Sequence, residues 1–473
     1  MKKYPIFVGG KFVETSHIIE VANPYDGKAF ATTFLGGEQE LEAAIQAAQN
    51  AKRVMAEMPS YKRSEALAYV AAELIKNRES LAETLSCEAA KPFIYALAEI
   101  DRAASTFYVA AEEAKRIPRE YLAMDWTASA AGKEGFVKYF PVGIVAGIAP
   151  FNFPMNLACH KIAPALAAGC QIILKPATRT PLSTLRLAEI IDQTDLPKGC
   201  LSVIPMDRAT GNILVTDERF ALLTFTGSPD VGWKMKTDAG KKKVVLELGG
   251  NAGVIVTPSA DFEMAVKKCV IGAFAYQGQV CIHTQRIYVH DSIVEKFLNE
   301  FVSNAKALKH GHPTDPETKI TSMIDEENAI RVESWIQEAV AQGATLLCGG
   351  KRNGTFVEPS VLTNVKHKMK VSECEIFGPV VVIEKYTDFK NAVEQVNNSR
   401  FGLQTGVFTN DAREIDYAFQ HLEVGGVMIN ETSLFRTDHM PYGGVKDSGL
   451  GREGVRYAIL DMMEPKLLVR NVC

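Results

Sequence analysis

Between residues 38 and 114 apolar side chains recur at three- and four-residue spacing, which predicts amphipathic helices over 40–55, 61–77 and 78–113. The pattern changes at Gly143. Short apolar runs at 142–149, 170–175, 201–205, 221–226 and 244–248 read as buried strands, alternating with helices over 156–168, 180–191 and 228–239. Strands and helices alternating at these lengths need right-handed crossovers and predict a mostly parallel, doubly wound sheet. A second α/β stretch runs from about residue 251 to 430, with strands at 286–290, 345–348, 380–386, 406–409 and 424–429. Residues 121–129 and 135–140 predict a β-hairpin spliced in before the first parallel strand, and 466–472 a last strand. Neither has an obvious sheet of its own, so both are expected to pair with another subunit by edge addition.

Composition narrows the class of molecule. The chain has 473 residues, 47% hydrophobic, which excludes a mostly disordered protein. The 52 basic and 56 acidic side chains leave a net charge of −4 with no long basic tract, so nucleic acid is not an expected partner. No uninterrupted apolar stretch reaches the roughly 18 residues of a membrane span, and the first residues lack the apolar core of a signal peptide. Nine cysteines form no C-x-x-C pair, which predicts a reduced, cytoplasmic chain without structural zinc.

Four segments carry candidate chemistry. In Gln277-Gly278-Gln279-Val280-Cys281-Ile282 a cysteine follows an apolar helix and a glycine turn. Backbone N–H groups gathered there would lower the thiol pKa and later hold an oxyanion; the alternative is a buried, inert cysteine. Leu246-Glu247-Leu248-Gly249-Gly250-Asn251 sets one carboxylate in an apolar strand end. Burial would raise its pKa towards that of a general base, unless it faces solvent or pairs with a lysine. Ala149-Pro150-Phe151-Asn152-Phe153-Pro154 holds an amide rigidly at a strand end, where it either donates to an oxyanion or caps the following helix. Phe225-Thr226-Gly227-Ser228-Pro229-Asp230-Val231-Gly232 is a strand, glycine turn and helix start suited to a pyrophosphate. It lacks the Lys-Ser/Thr of a P-loop, and G-x-G-x-x-G is absent.

Taken in their order along the chain, and across essentially its whole length, these segments resemble the aldehyde dehydrogenase superfamily. Leu174-Lys175-Pro176, Glu375-Ile376-Phe377-Gly378-Pro379, Pro441-Tyr442-Gly443-Gly444-Val445-Lys446-Asp447-Ser448-Gly449 and Gly451-Arg452-Glu453 match as well. The resemblance implies an α/β chain with two doubly wound Rossmann-like domains. One, residues 1–117 and 142–247, binds NADP or NAD; the other, 248–441, is catalytic. A small β oligomerisation arm, 118–141 and 459–473, implies a homodimer or homotetramer. It further implies that Cys281 attacks the aldehyde, that the Asn152 amide and the Cys281 N–H hold the oxyanion, and that Glu247 activates water to hydrolyse the thioester. Lys161 and Glu453 match positions proposed to relay protons, and an ordinary ion pair is the alternative. For the dinucleotide it implies Ile148, Ala149, Pro150, Phe151, Lys175, Thr178, Thr226, Gly227, Ser228, Gly232, Leu248, Gly249, Glu375 and Phe377. No metal is implied.

Two departures refine the reading. NAD-preferring members usually carry Ser-Glu after Lys-Pro; here the run is Lys175-Pro176-Ala177-Thr178. Without that carboxylate, and with Lys175 nearby and Arg179 either nearby or a solvated surface residue, NADP is expected to bind at least as well as NAD. Ala98-Glu99-Ile100-Asp101-Arg102, His160-Lys161 and Phe435-Arg436-Thr437-Asp438-His439-Met440 resemble the branch of lactaldehyde, non-phosphorylating glyceraldehyde-3-phosphate and phosphonoacetaldehyde dehydrogenases. Arg102, His160 and Arg436 are expected around the aldehyde tunnel, favouring a small hydroxylated or anionic substrate, unless they serve structure or, for the two arginines, fold back into ion pairs with Asp101 or Asp438. Val280, where phosphorylated-triose members carry a basic residue, counts against glyceraldehyde 3-phosphate. The competing functions are transfer of the thioester to coenzyme A, which the presence of Glu247 opposes, and a dinucleotide-free thiol hydrolase, for which His283 is too close in sequence to be assumed a partner.

Overall fold

The computed structural model describes residues 1–472; Cys473, one of the nine cysteines and the end of the expected arm, lies outside them. Two large sheets organise the chain. The first has eight strands in the order Gly449–Leu450, Lys243–Glu247, Phe220–Thr226, Ile144–Ile148, Gln171–Lys175, Leu201–Val203, Ile6–Val8, Lys11–Val13, and its five central strands are parallel. Helices α1 (Glu38–Glu57), α2 (Ser60–Lys76), α3 (Arg78–Ala89) and α4 (Phe93–Glu113) precede the first parallel strand. Helices α5 (Asn156–Ala168), α6 (Leu182–Ile191), α7 (Arg208–Thr216) and α8 (Pro229–Asp238) are the crossovers between successive strands. Because both faces are covered, the strands are apolar throughout: Val145, Ile172 and Leu174 face one core, and Ile144, Ala146 and Ile173 the other. The second sheet has the order Thr345–Cys348, Ser360–Thr363, Val380–Tyr386, Arg286–His290, Gly253–Val256, Gln404–Phe408, Gly426–Ile429, with α9 (Phe262–Phe274) packed on it.

Register brings the carboxyl ends of the first sheet level. Ile148 lies opposite Lys175 and Phe225, Thr226 opposite Glu247, and Glu247 opposite Gly449. In a doubly wound sheet this edge is where ligands bind. No helix among the described residues is long and apolar enough to cross a membrane.

The structure departs from the sequence expectation in three places. The helix expected over 78–113 is two helices, because Ala90 takes a left-handed φ of 46° and Pro92 starts a new one. The apolar period ran through this break because α3 and α4 bury their stripes in one core. The strands Ile6–Val8, Gly253–Val256 and Ser360–Thr363 and helix α7 add to the expected elements. Finally, the hairpin and the last strand do have a sheet of their own. Met463–Asn471 pairs antiparallel with Lys133–Pro141, which pairs with Arg119–Ala123, all within one chain. Sequence distance hid this pairing. The arm keeps two open edges and exposes Tyr121, Leu467, Leu468 and Val469.

The α3–α4 break also sets the start of α5. Lys91 is fully buried there, against the Glu99 carboxylate and over the rings of Phe153 and Tyr276, with its ammonium 3.7 and 4.3 Å from their centroids. It donates to the carbonyl of Asn152 at 2.6 Å. Glu99 in turn accepts from the backbone N–H groups of Met155 (3.0 Å) and Asn156 (3.1 Å), capping α5 with a negative charge. Removing one partner of such a pair strands a buried charge. Lys91→Met is therefore expected to cost about 3–5 kcal/mol. Lys91→Met with Glu99→Gln, which keeps the capping oxygen, should cost less than the single change; denaturant unfolding of the variants checks both.

Candidate active site

Helix α9 ends at Phe274 and the chain turns sharply through Ala275–Gly278 before reaching Cys281. Tyr276 (φ 49°) and Gln277 (φ 56°) are left-handed there, a conformation that costs non-glycine residues roughly 1–3 kcal/mol each. Long-range bonds hold it. The Tyr276 hydroxyl donates to the Ala89 carbonyl at 3.1 Å, Thr321 Oγ1 lies 3.3 Å from the Gln277 side-chain amide, and the Ile324 N–H donates to that of Gln279 at 2.9 Å. Gly278 is required, since a Cβ would come 2.2 Å from the Gly378 carbonyl oxygen. The Cys281 sulfur emerges from this turn 3.1 Å from the Tyr442 hydroxyl. Burial pushes its thiol up to about 11, with Glu375 and Glu247 adding to the rise and Arg436 and the Tyr442 bond opposing it. The expected lowering of the thiol pKa is thus overturned, because desolvation outweighs the polar groups around it.

Asn152 reaches across from the first sheet to this turn. Its Nδ2 donates to the Gln279 carbonyl at 2.9 Å, and its Oδ1 accepts from the Phe153 N–H at 3.1 Å. It does not cap α5; Glu99 does that. Glu247, the last residue of its strand, is buried, and neither carboxylate oxygen has a hydrogen-bond partner. Burial, reinforced by the nearby charge of Glu453, raises its pKa well above the carboxylate range. The solvent-facing or lysine-paired alternative fails. Behind it the Lys161 ammonium bonds Thr226 Oγ1 (2.7 Å), Thr224 Oγ1 (3.2 Å) and Glu453 Oε1 (3.3 Å). Arg436 donates to the other Glu453 oxygen at 2.8 Å, and the two cations hold the Glu453 carboxyl down to about 2 against its burial.

The residues named for a dinucleotide line the same edge. Ile148, Ala149 and Leu248 are buried, Pro150 and Phe151 half-buried, and the Ala149 N–H bonds the Lys175 carbonyl at 3.0 Å. Ser228, after Thr226-Gly227, is the N-cap of α8, and its side chain makes no capping bond. Gly232 packs on Leu248, where a Cβ would meet a methyl at 2.4 Å. Glu375 packs on Gly249, where a Cβ would sit 2.2 Å from the carboxylate, and accepts the Gly250 N–H at 3.0 Å. Enclosure pushes its carboxyl up to about 7. Phe377, left-handed at φ 44°, meets the edge of Phe151 at 5.8 Å. Lys175 is half-buried, which lowers its pKa, and Thr178 is exposed. Arg179 is 60% exposed and paired with Asp325 at 3.4 Å. These glycines, the open helix start and the lysine form a cradle that fits NAD(P).

A cavity of about 170 Å³ leads to Cys281, walled by Tyr95, Phe153, Leu157, Ile282, Leu434 and Tyr442, with Arg102 and Arg436 among them. Both arginines carry ion pairs; that of Arg102 with Asp438 is one of the alternatives, and that of Arg436, with Glu453, is not. Arg102 bonds Asp438 at 2.9 Å and Arg436 bonds Glu453, while the Nε atoms of both are buried without a partner. His160 does not line the cavity. It is 1% exposed and bonds Asp438 at 2.8 Å from behind, because α5 turns it into the core. Three contributors escaped the sequence reading: Lys91, Glu99 and Tyr442. Tyr442 stood inside a quoted motif and Glu99 inside a quoted fragment, but nothing local marks their partners.

A model of the aldehyde dehydrogenase family matches residues 12–468. A 3-sulfolactaldehyde dehydrogenase of Priestia aryabhattai is 42% identical over 473 residues, covering 100% of this chain and 99% of that protein. The crystal structure of aldehyde dehydrogenase 21 from Physcomitrella patens, in complex with the reaction product succinate, superposes with a TM-score of 0.98 at 46% identity, covering 100% of this chain and 98% of that one. An NADP-dependent glyceraldehyde-3-phosphate dehydrogenase from Bacillus halodurans C-125, complexed with NADP, superposes at 0.96 with 34% identity and complete coverage of both chains. With its fold, its paired sheets and nearly its whole length matched, this chain belongs to the aldehyde dehydrogenase family and is an oxidoreductase that uses NAD(P).

Proposed function

We propose that the protein oxidises a small polar or anionic aldehyde to its carboxylic acid, with Cys281 as nucleophile. The observation that carries this reading is the Cys281 turn bonded to Asn152 beside a buried Glu247 whose oxygens lack partners. The Cys281 thiolate adds to the aldehyde carbon. The oxyanion of that adduct accepts from the Asn152 amide, once it leaves the Gln279 carbonyl, and from the Cys281 N–H. NAD(P), when bound, supplies the hydride acceptor that leaves Cys281 as a thioester. Glu247, with unoccupied lone pairs in an apolar setting, takes a proton from the water that attacks the thioester carbonyl, and the acid leaves with the sulfur restored. Lys161 and Glu453 lead that proton away. A carboxylate in this position supports hydrolysis over transfer to coenzyme A.

For the cofactor, Ile148 to Phe151, Thr226, Gly227, Ser228, Gly232 and Leu248 would hold the dinucleotide backbone, with Gly249, Glu375 and Phe377 at the nicotinamide end. Lys175 and exposed Thr178 lie where a 2′-phosphate would be read, and no carboxylate stands at 178 to repel it. Arg179 is engaged by Asp325 and is not needed for this. NADP is accepted at least as well as NAD. We assign residues 1–117 and 142–247 to cofactor binding, 248–441 to catalysis, and the arm of 118–141 and 459–473, with its open edges, to a homodimer or homotetramer.

The substrate reading rests on the cavity. An engineered cavity of about 150 Å³ holds benzene, so about 170 Å³ admits a short-chain aldehyde. Arg102 and Arg436, whose Nε atoms lack partners, suit a carboxylate or sulfonate on its far end. The 3-sulfolactaldehyde dehydrogenase and the relative in complex with its product succinate, both of which handle anionic compounds, support the same class.

Four outcomes are expected. Cys281→Ala should fall below about 1% of wild-type turnover while its NADP titration is unchanged; more activity removes Cys281 from its role. Glu247→Gln should give one burst of reduced cofactor and then slow turnover, with the acyl-enzyme visible by mass spectrometry. Thr178→Glu should move the kcat/KM ratio towards NAD by about tenfold, a contact repulsion on the order of 1 kcal/mol. Arg102→Leu should raise KM about tenfold for three- and four-carbon aldehydes ending in carboxylate or sulfonate, with little effect on propanal and butanal. Equal losses on both would make Arg102 a structural residue.

A further inference from the structure

We propose that Tyr442 is a further catalytic residue: its hydroxyl is the hydrogen-bond donor that favours the thiolate form of the Cys281 sulfur over the thiol. The proposal rests on Cys281 being the nucleophile. The Tyr442 Oη lies 3.1 Å from Cys281 Sγ, and it is the one hydrogen-bond partner of that sulfur among the described residues. The distance is short for a sulfur contact, and the donor cannot drift. Tyr442 is 4% exposed, its backbone exchanges hydrogen bonds with Glu453, and the Arg436 guanidinium stacks 3.7 Å above its ring.

Chemistry decides the direction of this bond. A thiol is a weak donor and a weak acceptor, whereas a thiolate only accepts, and a hydrogen bond to an ionised partner is roughly twice as strong as a neutral one. The bond therefore gains most of its strength when the thiol ionises. Burial keeps the Tyr442 phenol protonated, so it remains a donor over the working range. The other charged groups facing the sulfur are Arg436, which favours the thiolate, and Glu375 and Glu247, which disfavour it. None of the three bonds the sulfur. With burial also opposing ionisation, the hydroxyl is the one direct contact that rewards it.

The test reads the thiol and not turnover. Iodoacetamide alkylates the thiolate, forming an S–C bond and releasing iodide, so its rate against pH reports ionisation at Cys281, identified by peptide mass spectrometry. Three full-length enzymes are compared: wild type, Tyr442→Phe, and enzyme carrying 3-fluorotyrosine at 442, whose more acidic phenol is a stronger donor. Tyr442→Phe is expected to move the profile up by about one pH unit, a tenfold slower reaction on the acidic side. The fluorinated enzyme is expected to move it down. An unshifted Tyr442→Phe profile, or two shifts in the same direction, overturns the proposal. If Tyr442→Phe does not fold, as judged by its melting curve and NADP titration, an unshifted or upward-shifted fluorotyrosine profile overturns it alone. Failure of the underlying reading looks different: Cys281→Ala would keep its turnover, whatever the alkylation profiles show.

Discussion

One hydrogen bond joins the two sheets at the point where the chemistry is proposed. The Asn152 amide, on the loop after the first parallel strand, donates to the Gln279 carbonyl, on the turn that carries Cys281. Both sides of this bond are braced by the same three residues, Ala89, Ala90 and Lys91, where α3 gives way to α4. Lys91 grips the Asn152 carbonyl, Tyr276 reaches the carbonyl of Ala89, and Thr321 bonds the Ala90 carbonyl and contacts the Gln277 side chain. The left-handed residues of the turn are costly in isolation and persist because these contacts over-determine them.

The same edge separates two carboxylates by environment. Glu453 sits between Lys161 and Arg436 and stays ionised; Glu247, a strand end away, has no partner and is pushed towards the neutral form. Two titratable groups driven apart in this way are the usual mark of divided acid and base roles. Gly443 permits the arrangement, since a Cβ there would stand 2.8 Å from a Glu247 oxygen. Arg436 belongs to both regions, bonding Glu453 on one side and walling the aldehyde cavity on the other.

Much of this was legible in the sequence because it is local. The strands Arg286–His290, Thr345–Cys348 and Val380–Tyr386 and helix α5 fall where their apolar patterns place them. The Cys281 turn, the Glu247 strand end and the Asn152 loop each announce themselves within about six residues. Strands of three or four residues, such as Ile6–Val8, are too short to establish a period, and the break at Ala90 depends on tertiary contacts. The braces were illegible for the same reason: Lys91 and Asn152 are 61 positions apart, Tyr276 and Ala89 187. His160 was misassigned because sequence does not say which way a helix turns. The thiol pKa went the wrong way because desolvation depends on how deeply the packed chain encloses the sulfur.

The pairing of Met463–Asn471 with Lys133–Pro141 has a consequence in time. Arg470 and Glu134, which meet across it, are 336 positions apart, and Met463–Asn471 follows every strand of both large sheets in chain order. The parallel sheets can form while the chain is still growing, since their crossovers are short. The arm cannot be completed until both sheets have already been translated. A chain that stopped short of Met463 would leave Lys133–Pro141 with a bare edge, open to adventitious pairing and to proteolysis. The arm is in this sense a seal closed only on chains that carry both sheets in full.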